Sequence, residues 1–253
     1  MLRVVLLAVV FTLVGGTVAS AQVIELEGRY WLADIDARAR VENDSLPGTR
    51  VDFDDDLGVE GEGVPDLRLT IFTGLNSKIR LAYAYLSFEG EETLDRSIEF
   101  AGSTFSVNMQ VDTDVDIHYA RLGWAWQFLA VPGVFKLGPL LEAKGFLFDT
   151  SLRTRGVSPE VRESHTFPLI LPTVGLAVDF TPHPSIHLFA EASGLPAGDL
   201  GYFLDAEAGI RLILFRTLAL SASYRLFDVR VEDGSDFARL EVSGPAFGAA
   251  LRF

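Results

Sequence analysis

From Ile24 onward, apolar and polar residues alternate with a period of two over most of the chain. Ile24, Leu26, Gly28, Tyr30 and Leu32 fall on one side; Glu25, Glu27, Arg29, Trp31 and Ala33 fall on the other. That is the pattern of a strand with two unlike faces. It lapses between Glu42 and Gly63, where turn residues and acids crowd together, so a long loop is expected. It resumes with Leu67, Leu69 and Ile71 opposite Asp66, Arg68 and Thr70. After the turn signal Gly74–Ser77, Ile79, Leu81, Tyr83 and Tyr85 oppose Lys78, Arg80, Ala82 and Ala84.

Glu89 to Asp112 reads as a second long connection, with extended structure of its own near Ser97–Phe105. The strand that follows sets Leu122, Trp124, Trp126 and Phe128 against Arg121, Gly123, Ala125 and Gln127. Asp112, Asp114, Asp116 and His118 continue the tryptophan face upward. That face is wet above and greasy below, as for a strand projecting out of a membrane. Beyond the turn at Val131–Gly133, Leu137, Leu141 and Leu147 oppose Lys136, Glu142 and Lys144, and Arg153–Phe167 reads as a polar loop. Val174, Leu176, Val178 and Phe180 oppose Gly175, Ala177 and Asp179. Ile186, Leu188, Ala190 and Ala192 oppose His187, Phe189, Glu191 and Ser193. Leu204 to Leu214 and Leu218 to Leu226 repeat the scheme, with Asp205, Glu207, Gly209, Arg211, Ser221, Ser223 and Arg225 on the polar side.

The last stretch puts Phe247, Ala249, Leu251 and Phe253 on one face and Gly244, Ala246, Gly248, Ala250 and Arg252 on the other. About ten strands result, with eight or twelve as alternatives. Connections near 75, 132, 183 and 216 are short; those near 52, 100, 160 and 197 are longer, and that near 234 is short. Alternating short and long connections mark periplasmic turns and external loops. The expected fold is all-β, a transmembrane antiparallel up-and-down β-barrel, because a closed sheet leaves no unpaired backbone edge in lipid.

Composition sharpens this. The chain is 49% hydrophobic and 22% charged, and no stretch supplies the roughly 18 consecutive apolar residues of a helical span beyond the first residues. Residues 1–21 read as a signal peptide: Arg3, an apolar run from Val4 to Val14, and Ala19-Ser20-Ala21 before a mature start at Gln22. Residues 22–253 then form one barrel domain. The absence of cysteine excludes disulfides and lipoprotein processing. A net charge of −14 argues against nucleic acid, which needs a basic footprint.

A soluble barrel also alternates, with its apolar face inward. Three features favour the membrane form. Ionic residues on the polar faces come in matched numbers: Arg29, Arg68, Arg80, Arg121, Lys136, Lys144, Arg211 and Arg225 against Glu25, Glu27, Asp66, Glu142, Asp179, Glu191, Asp205 and Glu207. Balance suits an enclosed lumen network. Aromatics including Tyr30, Tyr83, Tyr85, Trp124, Trp126, Phe128, Phe180, Tyr202 and Tyr224 sit near the ends of the apolar faces, as interfacial girdles do. The leader and the terminal Phe253 are the third.

The closing pattern Gly248-Ala249-Ala250-Leu251-Arg252-Phe253 is similar to the carboxy-terminal insertion signal of outer-membrane barrels, carried by Phe247, Leu251 and Phe253. Ala246 departs from it, where a polar residue is usual. With Phe53-Asp54-Asp55-Asp56-Leu57-Gly58, Pro65-Asp66-Leu67-Arg68-Leu69 and Arg121-Leu122-Gly123, most of the mature chain resembles proteobacterial outer-membrane barrels of the broad OmpA-like superfamily. The resemblance implies architecture and an address, the bacterial outer membrane, but no reaction.

Candidate chemistry is sparse. His118, His165, His183 and His187 lack the convergent partners of a metal site. His187, Glu191 and Ser193 share a face but match a catalytic triad only in composition. The run Asp52, Asp54, Asp55 and Asp56 could hold a divalent cation against lipopolysaccharide phosphates; a solvated acidic loop is the plainer reading. No cofactor, metal or catalytic residue is expected. The expected partners are outer-membrane lipids, lipopolysaccharide and, during insertion, the barrel-assembly machinery, with the barrel itself a monomer. A structural or interaction role with an ion-pair-filled lumen leads, ahead of a narrow, porin-like solute channel and a lipid-modifying enzyme.

Overall fold

The computed structural model describes residues 23–40, 51–54, 56–59, 61–94, 97–100, 103–105, 110–131, 133–155, 162–215, 217–233 and 236–253. Residues 1–22, Asp55 and the other intervening residues fall outside them. Strands occupy most of the rest: β1 (Val23–Arg40), β2 (Val51–Asp52), β3 (Glu62–Phe72), β4 (Ser77–Thr93), β5 (Ile98–Phe100), β6 (Ser103–Phe105), β7 (Gln110–Trp126), β8 (Leu129–Val131), β9 (Phe135–Arg155), β10 (Arg162–His183), β11 (Ile186–Pro196), β12 (Gly201–Phe215), β13 (Leu218–Asp233) and β14 (Asp236–Arg252).

Ten of these pair antiparallel with their neighbours in chain order, skipping only the four short strands, and β14 closes on β1 through a register from Glu25 opposite Arg252 to Arg40 opposite Phe237. The fold is therefore a closed antiparallel barrel of ten strands. β5 and β6 make the small hairpin expected around Ser97–Phe105, separate from the barrel sheet.

Two expected connections are shorter than the alternation suggests. The polar stretch from Arg153 to Phe167 is largely ladder, since β9 runs to Arg155 and β10 starts at Arg162. Glu89–Asp112 likewise begins and ends in strand. The barrel strands reach 22 residues, twice the roughly 9–11 needed to cross a membrane. Beyond the apolar band the rows still alternate, but with the faces exchanged, which hides them from a search for outward leucines.

That exchange of faces organises the molecule. At the short-turn end, large apolar side chains point outward and ionic ones inward: Tyr30 is 52% exposed, whereas Arg29 and Trp31 on either side are buried. At the long-loop end, Leu86 and Phe88 point inward and are buried, while Glu89 and Glu91 beyond them point outward and are exposed. The inward apolar residues of this half form the main core, around Ile35, Phe88, Val115, Ile117 and Val242.

β3 is short, so above it β1 and β4 have no common neighbour. Residues 51–54 and 56–59 fill that place. Val51 and Asp52 pair with Ala39 and Arg38 of β1, and Val59 bridges to Gly90 of β4. Val51, Phe53, Leu57 and Val59 are buried in the core. Gly58 adopts φ 63°, and a side chain at Gly90 would meet the Leu57 carbonyl oxygen at 2.4 Å. Of the acidic run, Asp52, Asp54 and Asp56 thus lie along a packed segment in which Val51, Phe53, Leu57 and Val59 are buried.

Candidate functional site

The most concentrated chemistry lies inside the lower half of the barrel. Period-two pleating sends every second residue of each strand to the axis, and the cross-strand register sets these residues side by side. Arg29 bonds Asp66 and reaches Glu207 at 2.5 Å. Arg68 reaches the other oxygen of Glu207 at 2.6 Å and Glu27 at 3.8 Å. Arg80 bonds Glu191, which Arg121 contacts at 3.0 Å, and Arg121 also pairs with Glu142. Lys144, fully buried, donates to Asp205 at 2.7 Å and to Ser193 at 2.8 Å, and lies 3.0 Å from Glu142. Arg225 holds Asp205 through Nε at 3.3 Å and Nη2 at 3.2 Å. Nearer the short turns, Arg211 pairs with Glu25 at 2.6 Å and Glu27 at 3.1 Å.

Charges this dry are sustained only when paired and hydrogen-bonded. The structure brings Arg29, Arg68, Arg80, Arg121, Glu142, Lys144, Glu191, Asp205, Glu207, Arg211 and Arg225 into this array. Asp179 joins through Lys78 at 3.3 Å and Gln127 at 2.5 Å. Lys136 does not: its ammonium donates to the Leu75 carbonyl at 2.5 Å near the surface. Lys78 takes the place that the sequence reading gave to Lys136, contacting Glu191 at 3.2 Å.

Above the ions lies a layer of inward aromatic rings: Tyr119, Phe146, Phe203 and Phe227, with neighbouring centroids 4.8 to 6.4 Å apart. It is welded to the ions from above. Arg225 stacks over Trp31 and Tyr119 at 4.9 and 5.1 Å, Lys144 lies 5.0 Å from the Phe203 centroid, and the Tyr119 hydroxyl donates to Asp205 at 2.9 Å. The sequence reading did not single out this layer. Strand parity alone could have found it, because each of its rings falls on the ionic face of its own strand.

Other candidates are dispersed. Ser193 donates to Glu142 at 2.5 Å, and His187 lies at the opposite end of β11, opposite Arg211. The three residues with triad composition are therefore not assembled. In the 51–59 segment, Asp52 accepts from Arg38 at 2.8 Å and the Asp56 carboxylate accepts the Asp52 N–H at 2.8 Å. The hydrogen bond to Asp52, with Asp36 alongside, holds the Arg38 guanidinium above its usual pKa. Asp54 stands at a cleft with Asp34 and Glu62, and Asp55 lies outside the described residues. Among the described residues no group of three or more His, Asp or Glu side chains is arranged to hold a metal ion. Phe247, Leu251 and Phe253 are exposed on the outer wall of β14 and its end.

No protein-family model matches the chain. No curated protein matches its sequence either. Solved structures of similar fold include the outer-membrane protease OmpT from Escherichia coli, with a TM-score of 0.59 and 8% identity over 91% of this chain and 96% of that one. They also include the translocator domain of the autotransporter NalP from Neisseria meningitidis, with a TM-score of 0.46 and 12% identity over 98% and 93%. The attachment invasion locus protein Ail of Yersinia pestis has a TM-score of 0.42 and 12% identity over 92% and 100%. At 8% identity the likeness to the protease is one of fold.

Proposed function

We propose that this chain is an integral outer-membrane barrel with a structural or interaction role and a lumen closed to solutes. In this reading the leader is removed after Ala21, and Phe247, Leu251 and Phe253 guide insertion by the assembly machinery. The monomeric barrel sits beside lipopolysaccharide with its acidic half outward. The observation that carries the reading is the stacking of two different seals along one axis: paired ions below, aromatic rings and aliphatic side chains above. Leu26, Leu67, Leu81, Leu122, Trp124 and Trp126 meanwhile stand exposed on the outer wall, where a soluble protein would not leave so broad an apolar surface.

Planar-bilayer recording of the purified chain tests closure. A baseline without steady openings is expected, and large, stable unitary steps would replace this reading with that of a solute channel.

A further inference from the structure

On the outer wall a groove of about 630 Å³ crosses four strands, floored by Gly28 and Ala249 and bounded by Tyr30, Leu67, Tyr83 and Phe247. It is open over its floor, since a Cβ added at Gly28 would meet nothing within 4 Å. Its upper end is Tyr85, and there the lining changes from hydrocarbon to polar groups in a fixed order. His118 stands directly opposite Tyr85 in the ladder. The His118 Nδ1 is 2.8 Å from the Tyr83 hydroxyl, and its ring lies 4.9 Å from that of Tyr85. One row further out, Ser87, Asp116 and Asp149 stand side by side. Asp116 accepts from the hydroxyls of Tyr85 at 2.6 Å and Ser87 at 2.7 Å, and Asp149 accepts from Thr166 at 2.5 Å. Among the described residues no cationic side chain meets either carboxylate, although like charges directly opposite each other on a sheet are unfavourable.

The sequence of chemistry up the wall is therefore an apolar trough, then phenol and imidazole, then two uncompensated carboxylates. Rows on one face are two residues apart, about 5 Å of height in a tilted strand. A phosphoethanolamine lipid presents the matching order: acyl chain, phosphodiester, then a primary ammonium a few ångströms beyond. Resting on the membrane placement above, we propose that this groove and its rim hold a phospholipid with a primary-ammonium head group, taken in place of lipopolysaccharide at this one point of the outer leaflet. The acyl chain lies over Gly28, the phosphate meets Tyr83 and His118, and the ammonium is shared by Asp116 and Asp149.

The test is native mass spectrometry of the full chain released from micelles carrying phosphatidylethanolamine, phosphatidylglycerol or phosphatidylcholine with identical acyl chains. Phosphatidylethanolamine should be retained about tenfold over the other two, the scale of a charge-assisted hydrogen bond. The paired change Asp116→Asn and Asp149→Asn should abolish that preference. Gly28→Leu fills open space without touching the backbone, and should lower retention of all three lipids. Equal retention by the unaltered chain, a preference for phosphatidylglycerol, or capture of lipid A only with added magnesium would each overturn the proposal. Quenching of Trp124 and Trp126 by brominated lipids reports separately whether the barrel occupies a bilayer, so failure of the site and failure of the membrane placement are distinguishable.

Discussion

The guanidinium of Arg225 lies 4.9 Å over the ring of Trp31, while the Trp31 indole nitrogen donates to the Gly244 carbonyl at 3.2 Å. Pro245, next to Gly244, has no N–H to give the ladder, and Gly244 itself adopts φ 153°. The indole thus serves a backbone carbonyl at an interruption in the closing strand and roofs the last cation of the ionic layer. Replacing Trp31 with Phe keeps a ring but removes the donor. The expected loss is about 1–3 kcal/mol, the cost of a buried acceptor left unsatisfied, read as a lowered urea midpoint of the folded barrel in micelles.

Trp31, Trp124 and Trp126 are the three tryptophans of the chain. Trp31 is 2% exposed, but Trp124 and Trp126 stand on the outer wall at 42% and 49%. In bilayers containing brominated lipid, the Trp31→Phe variant should lose most of its fluorescence. The Trp124→Phe, Trp126→Phe variant should be almost unaffected. The reverse result would mean that the faces of the barrel had been assigned inside out.

Among the described residues Lys144 is the most deeply enclosed cation, shared by Asp205, Glu142 and Ser193. Lys144→Met leaves two carboxylates short of a partner and should cost about 3–5 kcal/mol. Adding Asp205→Asn should recover part of that loss, because an imbalance of buried charge is worse than a smaller, balanced set. Equilibrium unfolding of the single and double variants measures the recovery.

Two seals in series make a prediction about leakage. Phe146→Ala with Phe227→Ala opens the aromatic layer, and Arg121→Ala with Glu191→Ala opens the ionic layer. Each pair alone should leave the barrel non-conducting, while the four changes together should give measurable openings in a planar bilayer.

Gly90 admits the 51–59 segment, so Gly90→Val should unseat it. The added side chain would start 2.4 Å from the Leu57 carbonyl. Limited proteolysis should then cut near Phe53 and Leu57 at least about tenfold faster, while the barrel keeps its heat-dependent gel mobility. Local opening at a small fraction of the global unfolding cost gives this pattern.

Most of the lower half of the barrel was legible strand by strand, because an apolar outward row beside an ionic inward row is a strong period-two signal. Leu67 against Arg68 and Leu81 against Arg80 needed no partner to be read. The pairing of Arg29 with Glu207, 178 positions away, could not be read, since parity gives the face but not the neighbour across the lumen. The upper half was harder. Leu86 and Phe88 point inward there and Glu89 outward, so a reading tuned to greasy exteriors took the ends of β4 and β7 for loop. Lys136 failed for a related reason: close to a turn, its long stem escapes the axis and finds a backbone carbonyl at the rim.

In the proposed membrane setting, the exchange of faces midway along the strands also gives the barrel a waterline. Sinking it by one row would drag Asp116 and Asp149 into hydrocarbon; raising it by one would strand Trp124 and Trp126 in the aqueous space below. Either displacement is opposed all round the circumference, so the barrel would float at a single draught and force a bilayer of another thickness to bend to meet it.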